Sequence, residues 1–136
     1  MLRTALLTRS LLLTALAFPV SLTAAEVGNP LDVGRQRFML DCATCHGVDA
    51  TGNGPVAGVL KIEPPDLTRL ASRHHGNFAY ADVYATIDGR QPLAHGTRDM
   101  PIWGNRYKQV LPALGEKKAH ARIDALVRYL ESLQVP

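Results

Sequence analysis

The sequence predicts an all-α domain in which short helices are joined by long loops. Two segments, 31–47 and 117–134, carry apolar residues at the three- and four-residue spacing of one helix face. Two others, 47–67 and 90–107, are rich in glycine and proline, which interrupt regular structure. No segment alternates apolar and polar residues like a half-buried strand. The combination indicates helices and loops without a sheet.

The first 25 residues have the composition of a secretory leader. Two arginines make the start positive, a ten-residue apolar run covers 11–20, and small residues at 23–25 suit a signal peptidase. We expect cleavage after Ala25, which leaves 26–136 as one domain of an exported, periplasmic protein. The alternative is a retained membrane anchor, although the apolar run is short against the ~20 residues of a span.

The charge balance argues against several classes of partner. Removing Arg3 and Arg9 with the leader leaves 13 basic against 12 acidic side chains, a net charge of +1 instead of +3. Proteins that bind nucleic acids or membrane surfaces show a clustered basic excess, which this sequence lacks. No second hydrophobic segment follows the leader. We expect no nucleic-acid partner and no membrane span in the mature chain.

Four helices are expected along the chain. The first leads into the cysteine pair with Asp32 as its N-cap, and a short second helix follows Asp66. The third covers 80–89 and stops at Gly89, a residue that favours helix C-termini. The last, over 117–134, is the clearest amphipathic helix. Its apolar stripe consists of Ile123, Leu126, Val127, Leu130 and Leu133.

Such a chain is short of hydrophobic core. Short helices and long loops bury little apolar surface per residue, and small domains are marginally stable even when regular. The loop over 47–67 is also long for a compact domain and needs a surface to pack on. A large apolar group at the centre would supply the missing core, so the sequence favours a bound cofactor.

The two cysteines of the chain stand in the segment Cys42-Ala43-Thr44-Cys45-His46. Structural zinc needs four ligands, but there is no second pair, and the adjacent His74 and His75 suit one ion poorly. A redox-active dithiol belongs at a strand-to-helix junction, whereas this pair follows a helix. A disulfide across two residues would close a tiny loop and stabilise the fold little.

The remaining interpretation is covalent c-type haem, for which C-x-x-C-H is the attachment motif. The two sulfurs form thioethers with the two vinyl groups on one porphyrin edge. The turn after the second cysteine then places His46 under the iron as its proximal ligand. We therefore expect one haem c per chain, attached through Cys42 and Cys45.

The sixth ligand decides whether the iron transfers electrons or binds small molecules. Met100 lies 54 residues after His46, far enough to reach the other face of the ring, and Pro101 holds it extended. We predict Met100 as this ligand, with a core gap-filling role as the alternative. Met39 precedes the cysteines on their own helix and is expected to pack. The rivals are the other histidines, of which His95 shares the Met100 loop.

These residues resemble the class I c-type cytochromes, the small His/Met monohaem electron carriers. The segment GRQRFMLDCATCHG is similar to the family's N-terminal helix, with Gly34 and Phe38 at steps of four before the first cysteine. The segment PPDL resembles the Pro-x-Leu that follows the family's haem-binding loop. The resemblance implies that the Pro65 carbonyl accepts the Nδ1–H of His46 and that Leu67 packs on the haem.

The resemblance extends over most of 30–134. The segments IDGR and MPIWG resemble the methionine loop of the bacterial subgroup, and LVRYL resembles the C-terminal helix. It implies the cytochrome c fold, with N- and C-terminal helices crossing and short helices and long loops wrapped around one haem. Leu126 and Tyr129 would cross the first helix at Gly34 and Phe38.

Two parts of the chain are open to more than one interpretation. Trp103 and Tyr84 are candidates for the haem wall or for hydrogen bonds to its propionates, with ordinary aromatic core as the alternative. The stretch over 104–118 is long between the methionine loop and the last helix. We interpret it as a solvated connection, and a partner-specific surface is the alternative.

The expected function is that of an electron carrier rather than an enzyme. A closed iron would move single electrons between a redox protein donor and a redox protein acceptor, with the carrier a monomer. One alternative keeps the fold but makes the chain a dedicated haem subunit of a larger oxidoreductase complex. A less favoured alternative is a ligand-binding or peroxidatic haem protein with an open sixth position.

Overall fold

The computed structural model describes residues 28–90, 100–110 and 115–136. The predicted leader and His95 lie outside these ranges. The helices in the described residues are α1 (Pro30–Asp41), α2 (Ala43–His46), α3 (Leu70–Arg73), α4 (Tyr80–Asp88), α5 (Trp103–Val110) and α6 (Gly115–Ser132). Single 3-10 turns cover Ala57–Val59 and Leu67–Arg69. These ranges hold no strand, so the prediction of an all-α fold is confirmed.

Helix α1 begins earlier than the sequence predicted. The side-chain oxygen of Asn29 accepts the N–H of Leu31 at 3.1 Å, and Pro30 occupies a first-turn position that needs no N–H donor. The predicted cap, Asp32, lies inside the first turn, where its negative charge favours the N-terminal end of the helix dipole. Asn29 is therefore the cap, because the fixed φ of Pro30 already starts the helix.

Helices α1 and α6 cross at Gly34, as the resemblance implied. A Cβ atom on Gly34 would lie 2.7 Å from the Cβ atom of Tyr129, so only hydrogen fits at this approach. The ring of Phe38 lies 5.6 Å from that of Tyr129, and Phe38 and Leu126 are fully buried. The backbones thus approach closely around a packed aromatic contact. Of the predicted α6 stripe only Leu133 is half-buried, and the rest is buried.

Helix α5 lies where the sequence predicted loop and a solvated connection, so that prediction is wrong over 103–110. Trp103 and Tyr107 stand one turn apart and are 6% and 5% exposed, with ring centroids 5.7 Å apart. Burial of this pair against α6 favours the helix over a solvated chain. The rest of the connection, at 111–114, lies outside the described residues.

The first turn of α5 rests on the C-terminal end of α4. Helix α4 stops at Gly89, in the left-handed region at φ 87°, as predicted. A Cβ atom on Gly104 would lie 2.6 Å from the backbone carbonyl oxygen of Asp88, and one on Gly89 would lie 3.2 Å from Ile102 Cβ. The two helices are therefore in close contact where the chain leaves Met100.

The C-terminus folds back on the segment that contains Leu67. The side-chain amide of Gln134 donates to the Leu67 carbonyl and accepts the Ala71 N–H, both at 2.8 Å. The Val135 N–H donates to the Thr68 carbonyl at 2.9 Å. The end of the chain therefore holds this segment in place. Within the described ranges, no helix combines the length and the apolar character that a membrane span needs.

Candidate functional site

The cysteine motif forms a tight turn at the end of α1. The N–H groups of Cys45 and His46 both donate to the Cys42 carbonyl, at 3.0 and 2.9 Å, and produce the single turn of α2. Cys42, Cys45 and His46 line one cavity, and neither cysteine forms a disulfide. This spacing was predicted to present two sulfurs and an imidazole to one group, and the structure places all three side chains on the lining of the same cavity.

His46 is held by the chain 19 residues further on. Its side chain is 7% exposed, and Nδ1 lies 3.2 Å from the carbonyl oxygen of Pro65. A carbonyl only accepts hydrogen bonds, so Nδ1 is the donor of this bond. Metal-binding histidines usually donate one ring N–H to a carbonyl in this way, which fixes the orientation of the ring.

The glycine-rich loop after His46 folds back over α2. The N–H groups of Gly52, Gly54 and Val56 donate in turn to the carbonyls of His46, Cys45 and Thr44, at 2.8, 3.1 and 3.2 Å. These bonds satisfy the carbonyls at the end of the short helix, which would otherwise lack partners. The loop predicted to need a packing surface finds it in the turn that carries the two cysteines.

Two cavities meet at His46. The larger measures about 640 Å³, within the ~300–1,000 Å³ typical of small-molecule and cofactor sites. A smaller cavity of about 70 Å³ lies beside the cysteines. The larger is walled mainly by the apolar side chains of Ile62, Pro65, Leu67, Leu70, Ala79, Val83, Ile87, Met100 and Leu130.

All seven residues predicted for the site border one or both of these cavities. Four of them line both, namely Cys42, His46, Pro65 and Met100. Cys45 and Trp103 line the smaller cavity, and Leu67 lines the larger. The structure therefore brings together residues that are spread over 42–103 of the sequence.

The alternative iron ligands are placed differently from Met100. Met39, expected to pack, is 43% exposed on α1 and lines neither cavity, so that expectation is wrong. His74 lines the larger cavity beside Arg73 at the end of α3. Nδ1 of His120 lies 2.6 Å from the hydroxyl of Tyr84, and His120 lines neither cavity.

Tyr84 does not form part of either cavity wall. It contacts His120 and lies under the guanidinium of Arg90, whose Cζ is 5.5 Å from the ring centroid. Its neighbours Val83 and Ile87 line the larger cavity instead. The sequence placed Val83 and Ile87 only within the predicted helix over 80–89. A helix prediction does not say which group the inner face of the helix contacts.

The electrostatics of the motif oppose a redox-active dithiol. Burial raises the pKa of the Cys42 thiol to about 12, and the nearby Asp41 and Cys45 raise it further in the same direction. Reactive dithiols depend on a lowered thiol pKa. The zinc alternative gains no support either, because residues 28–90, 100–110 and 115–136 contain no cluster of three potential protein ligands.

The residues present fit a haem. The larger cavity has a mainly apolar lining and a cofactor-sized volume, with Cys42 and His46 on its wall, and Cys45 lines the smaller cavity beside it. Arg73 stands on the lining of the larger cavity, where its guanidinium suits the carboxylates that a haem carries, and Glu63 and Asp82 line the same cavity. The chemistry of this donor set is that of covalent haem attachment.

Helical architecture, a C-x-x-C-H turn and an apolar cavity together define a haem-bearing electron-transfer protein. The family model described as Cytochrome c matches residues 31–134, and the chain belongs to the cytochrome c family. Members of this family are generally electron carriers with covalently bound haem c, typically exported, that act with redox partners. Searches of curated proteins and of solved structures returned no match to this chain.

Proposed function

We propose that this protein carries single electrons between redox proteins in the periplasm. One haem c would be attached through Cys42 and Cys45, with His46 and Met100 as axial ligands. The observation that carries the proposal is that Met100 lines both cavities together with His46 and Cys42. A bound haem iron supplies reversible one-electron exchange between its ferrous and ferric states.

The chain's own residues would set how readily that electron is released. The thioether of Met100 favours the ferrous state relative to a second imidazole, within the ~0.8 V that axial ligands span. The apolar wall, which includes Leu67, disfavours the extra charge of the ferric state and acts in the same direction. The Pro65 carbonyl orients His46, and Trp103 lines the smaller cavity.

Met100→Ala tests the ligation. We expect haem to stay attached, because the cysteines and His46 remain, while the reduction potential falls by ~0.1 V or more. The ferric protein should lose the weak red absorption band of a sulfur–iron bond, and the ferrous protein should bind carbon monoxide rapidly. Potentiometry and absorption spectra of the purified holoprotein measure both effects.

Two control variants separate Met100 from its rivals. Met39→Ala removes an exposed methionine that lines neither cavity and should leave spectrum and potential unchanged. His74→Ala removes the other described histidine at the larger cavity and should do the same. If His74→Ala loses the sixth ligand while Met100→Ala keeps it, the axial ligands would be two histidines instead of His46 and Met100.

The free, exported carrier is the form that we favour. A mature N-terminus at Glu26 is the expected result of leader cleavage, and an intact leader on the purified protein would contradict it. Elution from native extracts as a stable heteromer would make the chain a subunit of a larger oxidoreductase instead. Rapid carbon monoxide binding by the unaltered ferrous protein would favour an open, ligand-binding iron.

A further inference from the structure

One buried hydrogen bond joins the helix after Met100 to the helix before the cysteines. The hydroxyl of Tyr107, on α5, donates to the Asp41 carboxylate at 2.7 Å. Asp41 is the last residue of α1 and directly precedes Cys42, while α5 begins three residues after Met100. The bond thus links the two segments that line the smaller cavity from opposite parts of the sequence.

The surroundings of this bond shield it partly from water and favour its formation. Tyr107 is 5% exposed and the Asp41 side chain 17% exposed. Burial, reinforced by the hydrogen bond to Asp41, raises the pKa of the Tyr107 hydroxyl, so it stays protonated and able to donate at neutral pH. Arg37 lies 3.9 Å from the same carboxylate, and the guanidinium of Arg122 lies 6.0 Å from the Tyr107 ring.

Helix α5 has two attachments that fix where Met100 lies. Its first turn rests on α4, where Gly104 leaves no room for a side chain beside Asp88. Its second turn is tied to α1 by Tyr107. Met100 packs against the hydrophobic core, and on its C-terminal side the chain enters α5 within three residues. A shift of α5 relative to α1 would therefore move Met100 relative to Cys42.

We propose that Tyr107 is a positioning residue for the sixth iron ligand, acting through Asp41 to hold α5, and with it Met100, against the cysteine-bearing end of α1. The proposal rests on the ligation by Met100 proposed above. Tyr107 itself lines neither cavity. Its effect would be on how easily Met100 leaves the iron, rather than on haem attachment.

Competition by imidazole for the ferric holoprotein measures that effect, because imidazole binds only when Met100 is displaced. Tyr107→Phe removes one hydroxyl and keeps the ring. We expect imidazole to bind about five-fold more tightly, the factor that corresponds to ~1 kcal/mol for one hydrogen bond. The haem should stay attached, and the sulfur–iron absorption band should persist without imidazole.

Tyr80→Phe is the matched control. The Tyr80 hydroxyl also donates to a carboxylate, that of Asp124, but it ties α4 to α6 and lines neither cavity. This variant should lose a similar amount of thermal stability without any change in imidazole affinity. Equal tightening in both variants would overturn the proposal, because the effect would then be a general loss of stability.

A further variant tests the partner. In an Asp41→Ala background, Tyr107→Phe should have no additional effect on imidazole binding, since the bond is already absent. An unchanged affinity in Tyr107→Phe alone, or full additivity with Asp41→Ala, would overturn the positioning role while leaving Met100 ligation intact. A Met100→Ala variant with unaltered spectrum and potential would instead overturn the ligation, and this proposal with it.

Discussion

Two regions support the site by different means. One is the α1–α6 crossing, and the other is the seat of α5, by which we mean the contacts that hold α5 against α4 and α1. The crossing is apolar: Phe38 and Leu126 are fully buried, and Gly34 lets the backbones approach. The seat of α5 combines a close backbone contact at Gly104 with the directional bond from Tyr107. Apolar burial contributes most of the folding free energy, whereas hydrogen bonds fix positions. Stability and ligand placement should therefore respond to different substitutions.

The largest effect is expected at the crossing. Phe38→Ala should lower the free energy of unfolding of the holoprotein by ~3–5 kcal/mol, because it leaves a cavity in the packed centre. Denaturant titration followed by far-UV circular dichroism measures the loss. Met39→Ala, at the exposed neighbour, should change it by less than ~0.5 kcal/mol. If Phe38→Ala lowers the free energy of unfolding by less than ~1 kcal/mol, the crossing is not the main source of the stability of the fold.

An intermediate effect is expected at the seat of α5. Gly104→Ala places a methyl group against the Asp88 carbonyl and should cost ~1–3 kcal/mol. It should also tighten imidazole binding to the ferric protein, because α5 shifts and carries Met100 with it. Gly58→Ala, where the added methyl meets open space, is the control. If Gly104→Ala lowers stability strongly but leaves the imidazole affinity unchanged, the contacts of α5 do not control the placement of Met100, which would contradict the proposed difference between the two regions.

The smallest effect is expected at Asp124, which lies outside both regions. Burial tends to raise its pKa, but the hydrogen bonds from Tyr80 and Arg128 outweigh burial and lower it. Asp124→Asn should cost about 0.5 kcal/mol at pH 7, given the solvent screening of a half-exposed carboxylate.

The pH dependence of this small effect follows from the sign of the shift. A lowered folded-state pKa stabilises the fold fully above the unfolded value of ~3.9, and the contribution disappears as pH falls through the folded pKa. The difference in unfolding free energy between the unaltered protein and Asp124→Asn should therefore shrink as the pH falls below the unfolded value of ~3.9. A difference that stays constant as the pH is lowered through that value would mean that ionisation of Asp124 is not its source.

The sequence was sufficient for features that depend on local chemistry. The spacing of the α6 stripe, the stop of α4 at Gly89 and the turn through Cys42 and Cys45 each follow from residues close together in the chain. The approach of Pro65 to His46 and the crossing at Gly34 are long-range, and only the family resemblance supplied them.

The features that were missed depend on tertiary contacts. Trp103 and Tyr107 have the spacing of a helix face, but only their burial against α6 favours a helix in that loop. Tyr84 and Val83 are neighbours on α4, and the sequence does not say which of them points to the cavity. The cap at Asn29 was overlooked because Asp32 has the same preference for helix N-termini.

The bonds made by Gln134 have a consequence for the order of assembly. They join its side chain to Leu67 and Ala71, partners 67 and 63 residues earlier in the chain. Contacts of such long range form late, because their loop-closure entropy must be overcome first. Cys45 also lies far ahead of Gln134 along the chain, so a chain that emerges from its N-terminus presents the cysteines first. We therefore expect the pocket beside Leu67 to remain open until the segment around Gln134 has folded.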